Sequence, residues 1–396
     1  MQKRFTFFQL PGPANFQDRV TDLGSDSERF WFGRSGADHI GMLNPRNGKF
    51  QEFRFATASG SDIGPGKLFL HRVPGGSRRA RLIGGAEKSN ALLIWTEGNR
   101  RAELLHLGPY ENHQIEFKPE ALGRNRLGHI WTGMWIRNAN DPLSVGWEPG
   151  FCRLIPVIGG GYVTESWLLP PWAKGTVRSI WFDDNDRAWM AIGQANSIVT
   201  GGYSILVADP AANEFTFWDV PLPGTRDHLD VTGTAGADDL WFNWGRRGSV
   251  LKTRDIYAPL SGPGTPSRVE VIEGIGDVRA LVSDSHFNAW FSNPSKEEIG
   301  GLKRNAAPDS VLLATAIDET LQYFQPPVSI EEVKVDRVHD GDSKVHEERI
   351  EGVWDPTNRW VTWPLEKAPA VVIPTDKAIW FNIPQLAQIG AMQHKE

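Results

Sequence analysis

Short runs of alternating apolar and polar residues recur along the chain, closed by aromatic pairs and bounded by Gly, Pro or Asn. The pairs are Trp31-Phe32, Ile94-Trp95, Ile130-Trp131, Trp181-Phe182, Trp241-Phe242, Trp290-Phe291 and Trp380-Phe381. Period-two patterning between turn residues predicts strands. The clearest copy predicts strands at 29–34, 39–43 and 50–55, with a tight hairpin over 44–49. Further copies predict strands at 91–97, 102–107 and 113–117, then at 187–192, 203–208 and 214–220, and a partial copy at 359–363. Three or four strands repeating at about fifty residues mean blades set around an axis, that is, an all-β fold of one β-propeller.

The spacing of the pairs counts the blades. The interval from Trp290 to Trp380 is nearly twice that from Trp241 to Trp290, so a degenerate blade is expected at about 326–367. The last copy, 378–382 and 386–392, lacks an outer strand, while 4–11 has the missing pattern. The N- and C-terminal strands are therefore expected to pair and close the ring, which removes open sheet edges. Seven blades are predicted, with six or eight as alternatives. No linker-like run divides the chain, so 1–396 reads as a single domain. Residues 136–149 interrupt the pattern and read as a blade insertion.

Composition narrows the function classes. Cys152 is the single cysteine, so no intrachain disulfide can form, and the sequence has no Asn-x-Ser/Thr acceptor. Both observations point to the cytoplasm, with a removed signal peptide as the alternative. A net charge of -6 opposes a nucleic-acid partner, and no apolar run is long enough to cross a bilayer. Nucleotide loops, metalloprotease helices and zinc spacings are absent from the sequence. The expected partner is a small apolar or aromatic molecule. Seventeen tryptophans are more than the repeat consumes as core, and Trp135, Trp147 and Trp244 are expected to line an apolar pocket, with Arg246 beside them. Arg34 ends its strand, and a guanidinium there could hold an enolate or a carboxylate by paired hydrogen bonds.

The order hydrophobic-Trp-Phe, a turn, Ile40-Gly41-Met42-Leu43-Asn44-Pro45 and then Phe50-Gln51-Glu52-Phe53 resembles the streptogramin lyases, the virginiamycin B lyase group. The resemblance implies a propeller that opens a cyclic depsipeptide lactone by elimination, with a histidine base and a magnesium ion held by glutamates in the central channel. His228, ahead of the strand that carries Trp241-Phe242, is the residue that matches the base. Ile94-Trp95-Thr96-Glu97 keeps the family's acid. Elsewhere that position holds Arg34, Gly133, Trp244, Asn293 or Ile383, with Asp184 as a substitute acid after Trp181-Phe182. The expected catalytic set is His228, Glu97 and Arg34. Magnesium is the expected cofactor if the reaction is lyase-like.

Two other readings stay open at this point. A metal-free cyclase, similar in shape and chemistry to the hetero-Diels–Alderases, needs only an apolar cavity and donors on a carbonyl, and no cofactor. A lectin-like or protein-binding propeller needs no catalysis.

Overall fold

The alternating runs fold as antiparallel meanders. The computed structural model describes residues 5–10, 20–25, 29–34, 39–57, 65–71, 81–86, 91–105, 113–116, 121–138, 147–157, 162–169, 176–183, 185–193, 203–209, 214–220, 231–233, 240–244, 249–253, 269–272, 278, 280–284, 288–293, 298–302, 315–316, 323–324, 328–338, 372–375, 378–383 and 388–393. Among the described residues the strands form six hydrogen-bonded sheets, and the architecture is an all-β propeller.

The first meander runs Val20–Ser25, Phe30–Arg34, His39–Asn44 and Lys49–Thr57, so the predicted three strands gain a fourth ahead of them. Its hairpin closes as the sequence suggests. Gly48 takes a φ of 66°, which glycine adopts without strain, and its N–H donates to the Asn44 carbonyl at 2.9 Å. The second meander is Pro65–His71, Arg81–Ala86, Ala91–Thr96 and Arg101–Leu105. The expected grouping of 91–97 with 113–117 is corrected here, because His113–Glu116 pairs instead with Ile130–Asn138 in the next sheet.

Cross-strand register explains the repeat. Phe32, Phe291 and Phe381 lie opposite Gly41, Gly300 and Gly390 on the following strand. Each phenylalanine ring lies over its glycine: a Cβ at Gly41 would come within 2.0 Å of Phe32 Cζ, at Gly300 within 2.1 Å of Phe291 Cζ, and at Gly390 within 2.3 Å of Phe381 Cζ. The recurring Ile-Gly of Ile40-Gly41, Ile299-Gly300 and Ile389-Gly390 is therefore a slot for the aromatic ring. Neighbouring residues on a strand point to opposite faces. Trp31, Trp290 and Trp380 accordingly pack toward the following meander, and Phe32, Phe291 and Phe381 toward the preceding one.

Two positions of the repeat are corrected. Trp181 is half-buried at the end of Thr176–Phe182, the first strand of its sheet; the buried tryptophan on the second strand, Ala188–Gly193, is Trp189. Trp95 sits on the third strand of its sheet, where it packs against Trp31, Phe53 and Phe55. In both places the adjacent strand is also apolar, so the pattern alone did not say which one takes the central position.

A polar turn anchors the tryptophan in two sheets. Asp183 accepts from the Arg187 backbone N–H at 3.0 Å with one oxygen, and from Arg187 Nε at 2.6 Å and Trp189 Nε1 at 3.0 Å with the other. Asp284 does the same for the Asn288 backbone N–H, Asn288 Nδ2 and Trp290 Nε1, at 2.9, 3.0 and 2.8 Å. Asn125 stands at the same spacing before Trp131, and its Oδ1 accepts from the His129 N–H at 2.9 Å. Its remaining atom is then a donor. Among the described residues neither Asn125 Nδ2 nor Trp131 Nε1 has a hydrogen-bond partner.

Two long segments differ from expectation. Residues 136–138 and 147–149, read as part of an insertion, continue the ladder of the hairpin Ile130–Asn138 and Trp147–Pro156. The described part of the expected degenerate blade, Val328–Val338, forms no sheet of its own: it lies parallel to both Lys49–Thr57 and Arg101–Leu105 and joins two meanders into one nine-stranded sheet. Its β-branched residues, Val328, Ile330, Val333, Val335 and Val338, suit a strand, but a pattern does not name the neighbour. Residues 339–367 lie outside the described residues. At the other end Phe5–Gln9 pairs antiparallel with Gln388–Gln393, beside Ala378–Ile383 and Val372–Pro374.

Two substitutions check this account. Gly41→Ala is expected to lower stability by about 1–3 kcal/mol, because the wholly buried Phe32 ring occupies the space of the new Cβ. Asn125→Asp is expected to raise it by about 1 kcal/mol by giving Trp131 Nε1 an acceptor. Chemical denaturation with matched m-values measures both, and a neutral Gly41→Ala would refute the slot.

Candidate functional site

Glu52 is the charge that the strand pattern should not tolerate. It shares a face of Lys49–Thr57 with Phe50, and only 3% of it is exposed, so its carboxylate needs partners inside the protein. Arg34, 6% exposed at the end of Phe30–Arg34, supplies one, with Nη1 on Glu52 Oε1. His39, directly across from Arg34 in the ladder, supplies the other, with Nδ1 at 3.2 Å from Glu52 Oε2. Burial works to raise the Glu52 pKa, but the His39 hydrogen bond and the Arg34 charge outweigh it and hold the carboxyl below its ordinary 4.5. Glu52 and His39 were not singled out from sequence; an acid in phase with the apolar face of a strand is the signal that could have found them.

Glu97 has a different partner. It lies in the turn after Ala91–Thr96 and takes Arg29 in a two-pronged ion pair, Nη1 to Oε1 and Nη2 to Oε2, the second at 2.9 Å. The Arg29 guanidinium lies 5.2 Å from the Trp31 ring centroid, and Nη1 lies 3.4 Å from Met42 Sδ. Alternation puts Arg29 and Trp31 on one face of their strand, and Arg34 on the other with Phe30 and Phe32. Arg34 and Glu97 are thus separated by the sheet and by most of a strand length. Each is held by a counter-charge, Glu97 by Arg29 and Arg34 by Glu52, and the Arg34 guanidinium is buried. Glu97, with both oxygens on Arg29, is not arranged to hold magnesium. Among the described residues there is no group of three or more His, Cys, Asp and Glu that could hold a metal ion.

The aromatic positions are placed only in part. Trp135 falls opposite Pro149 and Glu116, and Trp147 opposite Arg137, so both belong to one extended hairpin rather than to a loop. Trp244 ends Leu240–Trp244 opposite Ser249. His228, Arg246 and Asp184 lie outside the described residues. A stacked group not foreseen from sequence occurs in the same sheet as the hairpin: the Trp131 ring stacks on Phe151 and Trp167 with centroids 6.0 Å away in each case. Arg153 lies over both tryptophans, at 5.4 and 5.6 Å, and its Nε bonds Glu165 Oε2 at 2.8 Å. Cys152 is wholly buried, and burial pushes its thiol far above the ordinary range, so it is no nucleophile.

The order of strands, the Ile-Gly slots and the tryptophan turns can now be set against known structures. Virginiamycin B lyase from Staphylococcus aureus superposes over 100% of both chains with a TM-score of 0.62 at 14% sequence identity. The fold is similar to that of virginiamycin B lyase. A catalytically inactive variant of that enzyme with quinupristin superposes with a TM-score of 0.61, again at 14% identity and over the whole of both chains. YCF48 from Cyanidioschyzon merolae superposes over 98% of this chain and 99% of its own, with a TM-score of 0.53 at 10% identity. No protein-family model matches the chain, and neither does any curated protein sequence. No helix among the described residues is long and apolar enough to cross a membrane.

Glu52→Gln is expected to cost about 3–5 kcal/mol, since it removes a buried carboxylate that faces both Arg34 and His39. The depressed Glu52 pKa also gives a sign to the pH dependence. Its stabilisation is present above the unfolded-state carboxyl pKa and is lost as pH falls through the lower folded-state value. Thermal unfolding across the acid range should therefore show a decline that is shallower in Glu52→Gln; an unchanged slope would exclude this role for Glu52.

Proposed function

We propose that the chain is a seven-bladed propeller and a lyase-type enzyme that acts on a small, largely apolar cyclic molecule of natural-product metabolism. The observation that carries the reading is the whole-chain superposition on virginiamycin B lyase. The blade count is supported by splitting the nine-stranded sheet at Val328–Val338 into two meanders, which with the other five sheets makes seven. Ring closure is supported by the pairing of Phe5–Gln9 with Gln388–Gln393, and by the Phe30 ring stacked on Trp380 at 3.9 Å.

In this reading His228 is the base. It removes a proton from the carbon next to the ester-bearing carbon; the freed electron pair forms a C=C bond, and the C–O bond breaks so that the ester oxygen leaves as a carboxylate. No water is consumed, so the opened product keeps the mass of the ring. A neutral imidazole is suited to accept that proton near neutral pH. The buried Arg34–Glu52–His39 group and the Arg29–Glu97 pair serve the reaction as supports of the blades, not as contacts to substrate. Trp135, Trp147, Trp244 and Arg246 remain the proposed substrate wall, and the cytoplasm the proposed compartment.

A metal-free cyclisation is the second reading. What favours it is the engagement of Glu97 by Arg29, which removes the one acid that the family motif retains.

The test uses quinupristin as probe, with mass spectrometry of the products. A ring-opened product of unchanged mass is expected, with the rate falling about 10²–10⁴-fold in His228→Ala. A product heavier by one water would indicate hydrolysis, and no turnover of quinupristin or of related lactones would end the lyase reading. EDTA should abolish turnover if a metal takes part, with magnesium restoring it; full activity in EDTA would make the elimination metal-free.

A further inference from the structure

The strand Val328–Val338 is out of place in an antiparallel fold. It runs parallel to Lys49–Thr57, with Val328 opposite Phe50 through to Val335 opposite Thr57, and parallel to Arg101–Leu105, with Lys334 opposite Arg101 through to Val338 opposite Leu105. Parallel pairing on both sides means that it is delivered from a distant part of the chain, since adjacent strands joined by a hairpin are antiparallel. Just ahead of it, Tyr323–Phe324 pairs parallel with Phe7 and Phe8 of the N-terminal strand. Tyr323–Phe324 and Val328–Val338 therefore edge three outer strands in succession: Phe5–Gln9, Lys49–Thr57 and Arg101–Leu105.

The contacts hold it in one register. The Lys334 N–H donates to the Arg100 carbonyl at 2.9 Å, and Gln51 Nε2 donates to Glu331 Oε1 at 2.8 Å. Alternation then turns the Val333 N–H toward Lys49–Thr57.

The N-terminal strand is where a ring closed between the two ends of the chain is held without a covalent link, by one ladder to Gln388–Gln393. We propose that Tyr323–Phe324 and Val328–Val338 act together as a clasp across that seam, tying the N-terminal strand to the first two meanders so that the ring opens only after these strands are released. The inference rests on the ring reading above. It assigns these strands a mechanical role that an ordinary blade strand would not have, because release at one end of the clasp should loosen a strand at the other.

Hydrogen exchange of the full-length protein tests it. Val333→Pro removes an N–H from the ladder with Lys49–Thr57 and is expected to raise exchange in 5–10 and 388–393, as well as in 49–57, by about tenfold or more. Lys334→Ala, which trims only an exposed side chain, should change none of them. Faster exchange confined to 49–57 and 101–105 would overturn the clasp and leave an edge cover. Absence of protection at 5–10 in the unmodified protein would overturn the ring reading itself. Should Val333→Pro fail to fold, Ala56→Cys with Lys334→Cys, opposite one another in the ladder, gives a second measure. The oxidised pair should slow unfolding in urea by about tenfold relative to the reduced pair, and equal rates would refute the proposal.

Discussion

A blade must bury both of its faces on its neighbours, and in the meanders of Trp31-Phe32, Trp290-Phe291 and Trp380-Phe381 the aromatic pair on the second strand is what makes this possible. Because successive side chains alternate, the tryptophan fills the space toward the following blade and the phenylalanine the space toward the preceding one. Buried aromatic side chains of this size remove about 150–250 Å² each from water, the largest contribution that any residue type can make to such an interface. The glycines at Gly41, Gly300 and Gly390 follow from that demand, since a ring lying flat on the next strand leaves no room for a Cβ.

The polar groups near this core are arranged around it. Asp183 and Asp284 fix both a turn and an indole N–H, so the ring that fills the interface is also held in orientation. Arg29 caps Trp31 and reaches Glu97 on the neighbouring meander, which links two blades by charge where their tryptophans already meet. Arg34, His39 and Glu52 do the corresponding work inside the first blade. These groups resemble catalytic residues in type and in burial, yet Asp183, Arg29, Glu97, Arg34 and Glu52 each face an opposite charge. Buried ionisable clusters arise from structural demands as readily as from chemistry.

That is why the candidate site was less legible than the fold. Reading Arg34 as a channel cation used its place at a strand end, but not its face; its phase with Phe32 already directed it into the sheet interface. Glu97 matched a family position and still became half of an ion pair, because the residue that claims it, Arg29, is far away in sequence. Asn125 shows the same limit from the other side: the asparagine is plain to see, but its consequence appears only beside the aspartates at equivalent turns.

Strand positions, hairpin turns, the aromatic repeat and the propeller class were determined by the sequence alone, since each depends on spacing within a few residues. So was the pairing of the two ends, because a blade short of one strand and a spare strand at the other terminus have complementary patterns. The tertiary structure alone decided which strand of two apolar neighbours carries the central tryptophan, which charges meet, and where Val328–Val338 goes. A period-two pattern fixes which side chains share a face, but an open strand edge accepts any strand that reaches it. Which one arrives is set by contacts between parts of the chain hundreds of residues apart.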